Sequence, residues 1–214
     1  MTNNDDKLNV ESKPKTEEVI EVKELKDPRD KAETSKTLDD VPFMQTYTGL
    51  KFYPTRPSVD AINLMDIAHS LSMQCRFNGH CLYFYSVAEH SVRVSRILRK
   101  KKDRLWGLLH DASEAYASDV VRPVKVLMPS YNGIEESIQK VIAERFDLPW
   151  PIPEVVKHAD DVLLMTERRD LLLPTQDPWT ISDTDPLSES IVPMTSIEAE
   201  LAFLQRFNAL MTSL

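Results

Sequence analysis

The sequence Leu-Leu-His-Asp-Ala-Ser-Glu-Ala at residues 108–115 predicts how the centre of this chain folds. The apolar residues before His110 indicate a buried helix, and His110 is followed directly by Asp111. Polar side chains at core-facing positions need a partner, because burying them unpaired costs free energy. An imidazole and a carboxylate offered together at such a position indicate a metal site.

Two further residues can complete this site, one on each side of the His-Asp pair. His90 lies upstream in the sequence Ser-Val-Ala-Glu-His-Ser, and Asp160 lies downstream in Lys-His-Ala-Asp. Helical bundles commonly build metal sites from side chains that converge from separate helices. We therefore expect four side chains to meet at one ion, namely His90, His110, Asp111 and Asp160.

Each of these residues also has an ordinary interpretation by itself. His90 could be a half-buried helix histidine, and Asp111 could pair with a cation such as Arg104. Asp160 could be a surface acid, and the neighbouring Asp161 competes for its role. The ordered set, rather than any one residue, favours the metal site.

The spacing of the apolar residues predicts an all-α fold. Ser86 with Glu89 three residues later is a capping-box pattern, and Asp103 is the expected N-cap of the helix that contains the His-Asp pair. Glu114 would then lie on the same helix face as that pair. The predicted helices cover residues 61–71, 86–99, 104–115, 134–146, 153–173 and 197–211, with loops at 74–85, 119–129 and 174–195.

The first 42 residues differ in composition from the rest of the chain. They contain no aromatic residue, and 12 acidic residues stand against 8 basic ones. Such a segment buries too little apolar surface to offset the entropy of ordering it. We predict a disordered acidic tail at residues 1–42 and one domain at residues 43–214.

Composition limits the function classes that are open to this chain. A net charge of −8 and a pI of about 5.2 argue against a nucleic-acid-binding face. A small anionic substrate is still compatible with this negative net charge, because a bound divalent metal can dominate the charge at the site. Two cysteines without a C-x-x-C pattern indicate a reducing compartment. With no signal-peptide pattern and no membrane-length apolar run, we expect a cytoplasmic protein with no membrane partner.

The local sequences around these residues are similar to those of the HD superfamily of metal-dependent phosphohydrolases. The similarity rests on Ser-Val-Ala-Glu-His-Ser at 86–91, His-Asp-Ala-Ser-Glu at 110–114, Ser-Asp at 118–119, Pro-Val-Lys at 123–125 and Lys-His-Ala-Asp at 157–160. Within the superfamily, the chain resembles the bacterial and phage 5′-deoxynucleotidases and the phage dATP triphosphohydrolases over roughly residues 43–172. The resemblance implies an HD-domain helical bundle.

The resemblance also implies a role for each matching residue. The four residues expected to meet at one ion would be the metal ligands. Glu114 would handle the attacking water or a proton, and Asp119 would assist it or engage the sugar. Arg76 and Lys125 would contact phosphate, although a solvated cation is an equally open interpretation of Lys125. Phe77 stands where the deoxynucleotidases have a tryptophan, which leaves the substrate preference open.

The implied activity is hydrolysis of the 5′-phosphate ester of 2′-deoxynucleotides, which releases phosphate from a dNMP or tripolyphosphate from a dNTP such as dATP. Histidine and carboxylate ligands without thiolate favour Mn, Co, Fe, Ni or Zn as the divalent metal ion, with Mg also compatible. Relatives of this kind assemble as dimers or larger rings, which implies a homo-oligomer. Two alternatives stay open: a non-catalytic HD-fold module that binds or senses nucleotides, and a hydrolase of cyclic or alarmone nucleotides.

Overall fold

The computed structural model describes residues 41–176, 179 and 184–212. The predicted acidic tail lies outside the described residues except for its last two positions. Part of the predicted loop at 174–195 also lies outside them, and its described positions belong to neither a helix nor a strand. None of the described helices is both long enough and apolar enough to cross a membrane.

The described part of the chain is mostly helical, as its apolar periodicity predicts. Its α-helices are α1 (Leu64–Met73), α2 (Val87–Ile97), α3 (Lys101–Leu109), α4 (Glu114–Ala117), α5 (Arg122–Lys125), α6 (Pro129–Arg145), α7 (Glu154–Leu171) and α8 (Ser196–Thr212). Short 3-10 turns at Val59–Ala61 and Arg76–Gly79 precede α1 and α2. The short helices α4 and α5 are not among the predicted helices.

A small antiparallel sheet near the start of the described chain is absent from the predicted fold. Strands β1 (Met44–Gln45) and β2 (Lys51–Phe52) pair with Met44 opposite Phe52. The turn between them contains Gly49 at a φ of 84°, a conformation that glycine adopts without steric cost. Two residues per strand are too few to show a strand periodicity in the sequence, so only the folded chain reveals the pairing.

Helix α2 lies at the centre of the fold and packs against α1, α3, α7 and α8. Its start matches the predicted cap, because the Ser86 hydroxyl accepts a hydrogen bond from the Glu89 amide at 3.1 Å. The Glu89 carboxylate does not return to Ser86; it pairs with Arg93 at 2.7 Å and accepts from the Met194 amide at 2.8 Å. A helix buried this deeply can include polar residues such as His90 only when they find partners.

The predicted helix at 104–115 is wrong at both ends. Helix α3 begins at Lys101, so Asp103 lies in its first turn and is not the N-cap. The helix also ends at Leu109, and a tight turn over the His-Asp pair joins it to α4. In this turn the Glu114 amide bonds the Asp111 carbonyl at 3.0 Å.

A buried glutamine from α6 explains why the helix can stop there. The Gln139 side chain accepts from the Ser113 amide at 3.0 Å and donates to the Leu109 carbonyl at 2.8 Å. Backbone groups released at a helix end must find other partners when they are buried. Gln139 supplies an acceptor for the Ser113 amide and a donor for the Leu109 carbonyl. Tertiary packing thus overrides the local helix preference of residues 108–115.

Two other helix boundaries differ from the prediction for local reasons. Helix α6 begins at Pro129 rather than Ile134, because proline fits the first helical position, where its missing N–H removes no bond. Helix α1 begins at Leu64 rather than at residue 61, since the Asn63 side chain accepts from the Met65 amide at 2.8 Å and caps it there.

Glycine allows α2 and α3 to pack in close contact. A Cβ built on Gly107 would lie 2.6 Å from Leu98 Cδ1 and 3.1 Å from Ser95 Cα. We expect Gly107→Ala to lower the free energy of unfolding, because overpacking costs about 1–3 kcal/mol against a helix-propensity gain of about 1 kcal/mol. Urea denaturation monitored by circular dichroism measures the change.

Gly133 in α6 provides the matched control. Apart from the surrounding backbone of α6, no heavy atom of the described residues lies within 4 Å of the position that its Cβ would take. Gly133→Ala should therefore raise the free energy of unfolding by up to about 1 kcal/mol through helix propensity alone. Equal stabilisation by both substitutions would contradict the close contact at Gly107.

Candidate metal centre

Three of the predicted metal ligands meet at one point. The Nε2 atoms of His90 and His110 lie 3.2 Å apart. Oδ2 of Asp111 lies 3.5 Å from the first of these nitrogens and 3.3 Å from the second. Side chains from α2 and from the turn after α3 thus form a group that can hold a metal ion.

Asp160 on α7 brings a fourth donor to the same imidazoles. Its Oδ1 atom lies 3.1 Å from His90 Nε2 and 3.8 Å from His110 Nε2. Within the described part of the chain, the neighbouring Asp161 makes no such contact. Between the two candidate aspartates, the structure therefore places Asp160 at the imidazoles.

The other ring nitrogen of each histidine is hydrogen-bonded away from the centre. His90 Nδ1 lies 2.6 Å from Glu167 Oε1, and His110 Nδ1 lies 2.9 Å from the Gly107 carbonyl oxygen. Both partners are acceptors, so each Nδ1 carries a hydrogen, and in its neutral form each ring turns the lone pair of Nε2 inward. Two inward lone pairs at 3.2 Å repel each other unless positive charge lies between them, which fits a bound cation.

The charges around the centre favour positive charge as well. Burial and Arg76 lower the pKa of His90, but Glu167 and Asp160 outweigh them and raise it to about 9. Burial also lowers the pKa of His110, while Asp111 and Asp160 raise it, with a net increase. The same excess of carboxylate charge attracts a metal cation. Two imidazole nitrogens and two carboxylate oxygens without thiolate suit first-row divalent metals.

Glu167 is the principal site residue that the sequence reasoning missed. Its side chain is fully buried and contacts both His90 and the Arg76 guanidinium, the latter at 3.1 Å. Burial raises the pKa of Glu167, but Arg76 and His90 lower it below its ordinary value. The sequence contains a signal for Glu167, because this residue follows Asp160 by two helical turns and therefore lies on the same face of α7. A buried acid on that face requires a partner.

Arg76 joins the carboxylates behind the metal centre. The Arg76 guanidinium contacts Glu167 and also lies 3.5 Å from Asp111 Oδ2. The Arg76 Nε atom is buried and has no hydrogen-bond partner among the described residues. Phe77 follows in a left-handed conformation, with its ring 5.4 Å from the Arg76 guanidinium and 6.5 Å from the Trp179 ring. Of the two predicted substrate-binding residues of this loop, Arg76 thus contacts a candidate metal ligand, and Phe77 contacts Arg76.

Glu114 lies in a different element from the one expected. It is the first residue of α4, beyond the turn, and does not share a helix with His110. Its side chain is buried, and Oε2 has no partner in the described part of the chain. Burial, Asp111 and Asp119 all raise its pKa well above the ordinary value. The protonated form of this carboxyl group is therefore more favoured than that of an exposed glutamate.

Asp119 and Lys125 follow α4 in the chain, and the charge of Asp111 influences the pKa of each. Burial raises the pKa of Asp119, and Asp111 adds to the increase. Lys125 is not a solvated cation, since its ammonium group lies 2.7 Å from Glu135 Oε1 on α6. Burial lowers the pKa of Lys125, but Glu135 raises it above the ordinary value, with smaller increases from Glu114 and Asp111.

Gln74 fixes the segment that contains the two acids. Its amide nitrogen donates to the Glu114 carbonyl at 3.1 Å, and its amide oxygen accepts from the Asp119 amide at 3.2 Å. Between these residues, Ser118 adopts a φ of 73° and a ψ of 152°, a region in which non-glycine residues are strained. No sequence pattern indicates this role, because a single glutamine in a loop has no periodicity to read.

Comparison with known proteins gives a family but no activity. No known family profile matches the chain. The chain is 41% identical to the uncharacterized protein YfdR of Escherichia coli (strain K12) over 170 residues, which cover 78% of this chain and 95% of that protein. It is 35% identical to an uncharacterized protein of Rhodobacter capsulatus over 112 residues, which cover 48% of this chain and 57% of that protein. With the match to YfdR spanning nearly that whole protein, this chain belongs to the YfdR family.

Proposed function

We propose that this protein is a metal-dependent phosphohydrolase of the HD superfamily that cleaves the 5′-phosphate ester of 2′-deoxynucleotides. One observation carries the proposal: two histidines with their Nε2 atoms 3.2 Å apart, each oriented through Nδ1, meet the carboxylates of Asp111 and Asp160. Side chains arranged in this way bind a divalent cation through neutral imidazole and carboxylate donors.

His90, His110, Asp111 and Asp160 would hold the metal ion. A divalent metal at this place supplies positive charge that polarises a phosphoryl oxygen and acidifies water. The donor set is compatible with Mn, Co, Fe, Ni or Zn, and with Mg. Glu167 and the Gly107 carbonyl keep the two imidazoles in the required orientation.

Glu114 is the residue best placed to move a proton. Its free Oε2 atom and its raised pKa allow it to accept a proton from the attacking water and to return one to the leaving 5′ oxygen. Asp119 supports this role, because its negative charge raises the pKa of Glu114. The buried position of Glu114 also limits exchange with bulk water.

Arg76 and Lys125 provide the positive charge for phosphate. Arg76 is anchored by Glu167 and Asp111, so its guanidinium is oriented before a substrate arrives. Lys125, held by Glu135, adds a second cation from α5. The Phe77 ring beside Arg76 offers an apolar surface for the sugar or the base.

A panel of substrates tests the proposal. We expect the protein with Mn, Co, Mg or Zn supplied in turn to release phosphate from a dNMP, or tripolyphosphate from a dNTP. Asp160→Ala should abolish both metal binding and hydrolysis, because it removes a carboxylate that contacts both imidazoles. Phosphate assays and calorimetric metal titrations measure the two effects.

Asp161→Ala is the matched control, since it removes an equal carboxylate one position along the same helix. It should retain metal binding and turnover. Tight metal binding without turnover of any deoxynucleotide would contradict the proposal and favour a nucleotide-binding module. Turnover confined to cyclic or alarmone nucleotides would assign the site to a different substrate class.

A further inference from the structure

The loop before α2 contains two thiols in contact. The Sγ atoms of Cys75 and Cys81 lie 3.5 Å apart, and both cysteines are half-buried. They are also the two cysteines of the entire chain. An intrachain disulfide in this protein can therefore join only this pair.

An unusual turn brings the thiols together. Phe77, Asn78 and Gly79 have φ values of 55°, 50° and 77°, three consecutive residues in the left-handed region. The His80 amide closes the turn by donating to the Phe77 carbonyl at 2.9 Å. Such conformations cost free energy at non-glycine residues and persist only where the surrounding structure enforces them.

Both ends of the loop are held by backbone hydrogen bonds. The Arg76 amide donates to the Tyr85 carbonyl at 2.9 Å, and the Leu82 amide donates to the Leu171 carbonyl at 2.8 Å. A disulfide requires the sulfurs to approach to about 2.05 Å. The remaining movement is a small adjustment of the turn, since its ends already hold the thiols in contact.

We propose that Cys75 and Cys81 form a site of reversible oxidation, at which hydrogen peroxide converts the thiol pair into an intrachain disulfide. The Cys75 thiolate attacks one peroxide oxygen; the S–O bond forms, the O–O bond breaks, and the leaving hydroxide takes a proton to become water. Cys81 sulfur then attacks the sulfenic sulfur of Cys75. The S–S bond forms, the S–O bond breaks, and the hydroxide leaves as water with the Cys81 proton.

The order of the two steps follows from the surroundings of Cys81. Burial and the contact with Cys75 raise the pKa of Cys81 to about 11. Its thiol therefore keeps its proton at neutral pH and suits the second step, in which the Cys81 proton leaves with the hydroxide. The two sulfurs together lose two electrons, which reduce the peroxide to water.

Oxidation would also affect the metal centre, and this consequence rests on the proposed function. The loop closed by the disulfide includes Arg76, whose guanidinium contacts Glu167 and Asp111. Even a small adjustment of the turn moves the Arg76 side chain relative to these carboxylates and so weakens the expected phosphate contact. Oxidised protein should lose hydrolysis that dithiothreitol restores.

Thiol counting tests the oxidation without any assay of turnover. The full chain is exposed to hydrogen peroxide, denatured, and labelled with a maleimide polymer that shifts each free thiol on a gel. We expect both thiols to be lost together in the monomer and to return with dithiothreitol. In Cys75→Ser, the remaining thiol should stay reactive under the same exposure.

Three results would overturn the site: retention of both thiols, disulfide-linked dimers instead of an intrachain bond, or equally fast oxidation of Cys81 in Cys75→Ser. Failure of hydrolysis in the reduced protein would instead count against the proposed function. Because labelling needs no substrate, the two failures are distinguishable.

Discussion

Glu114→Gln is expected to slow the release of phosphate by about 10²–10⁴-fold, the usual contribution of a general acid or base. The amide keeps the shape of the side chain but cannot accept or return a proton. Metal affinity should change far less than the rate, because Glu114 is not among the side chains that contact the two imidazoles. Steady-state phosphate release and calorimetric Mn²⁺ titration of the same preparation measure both quantities.

Glu144→Gln provides the matched control for this substitution, since Glu144 is an exposed glutamate on α6. It should leave the rate and the metal affinity unchanged. A Glu114→Gln protein that binds Mn²⁺ and hydrolyses deoxynucleotides at the unmodified rate would remove Glu114 from the proton-transfer role.

Glu167→Gln is expected to weaken metal binding by about 10–100-fold, although Glu167 does not point at the ion. The carboxylate accepts from His90 Nδ1 at 2.6 Å and from Arg76 at 3.1 Å. A glutamine side chain has one acceptor oxygen in place of two. Its amide nitrogen must therefore face either the His90 N–H or the Arg76 guanidinium, both of which are donors. His90 then loses its orientation, or Arg76 loses its partner. Mn²⁺ titration by calorimetry measures the loss of affinity.

Glu89→Gln separates this effect from a general loss of stability. Glu89 is as fully buried as Glu167 and also pairs with an arginine, Arg93, but its carboxylate bonds the Met194 amide rather than a histidine. Its substitution should lower the free energy of unfolding and leave the Mn²⁺ Kd unchanged. Equal weakening of metal binding in both variants would show that Glu167 acts through stability alone.

The sequence by itself determined the helical class and three residues of the candidate metal centre. Apolar residues at helical spacing mark most of the helices, because each must bury one face. The capping pattern at Ser86 correctly places the start of α2, since this bond is local and needs no distant partner. The sequence predicts three of the candidate ligands, His90, His110 and Asp111, because polar side chains that can bind a metal need a common partner in apolar surroundings.

The sequence also left choices that local chemistry does not decide. The sequence does not distinguish Asp160 from Asp161 as a metal ligand. Only the orientation of α7 in the fold brings Asp160 to the imidazoles of the two histidines. From the sequence, Lys125 is equally compatible with a solvated cation and with a phosphate contact. Its ion pair with Glu135 depends on how α5 packs against α6.

Only the tertiary structure decided where helix α3 ends and which residues support the candidate metal ligands. Gln139 ends α3 at Leu109 by bonding backbone groups from another helix. Glu167 orients His90 across 77 residues of sequence. The physical reason is the same in both cases: a buried polar group must be paired, but any side chain that reaches it can be the partner. The sequence predicts the need for a partner, whereas the packing of the helices selects the residue that meets it.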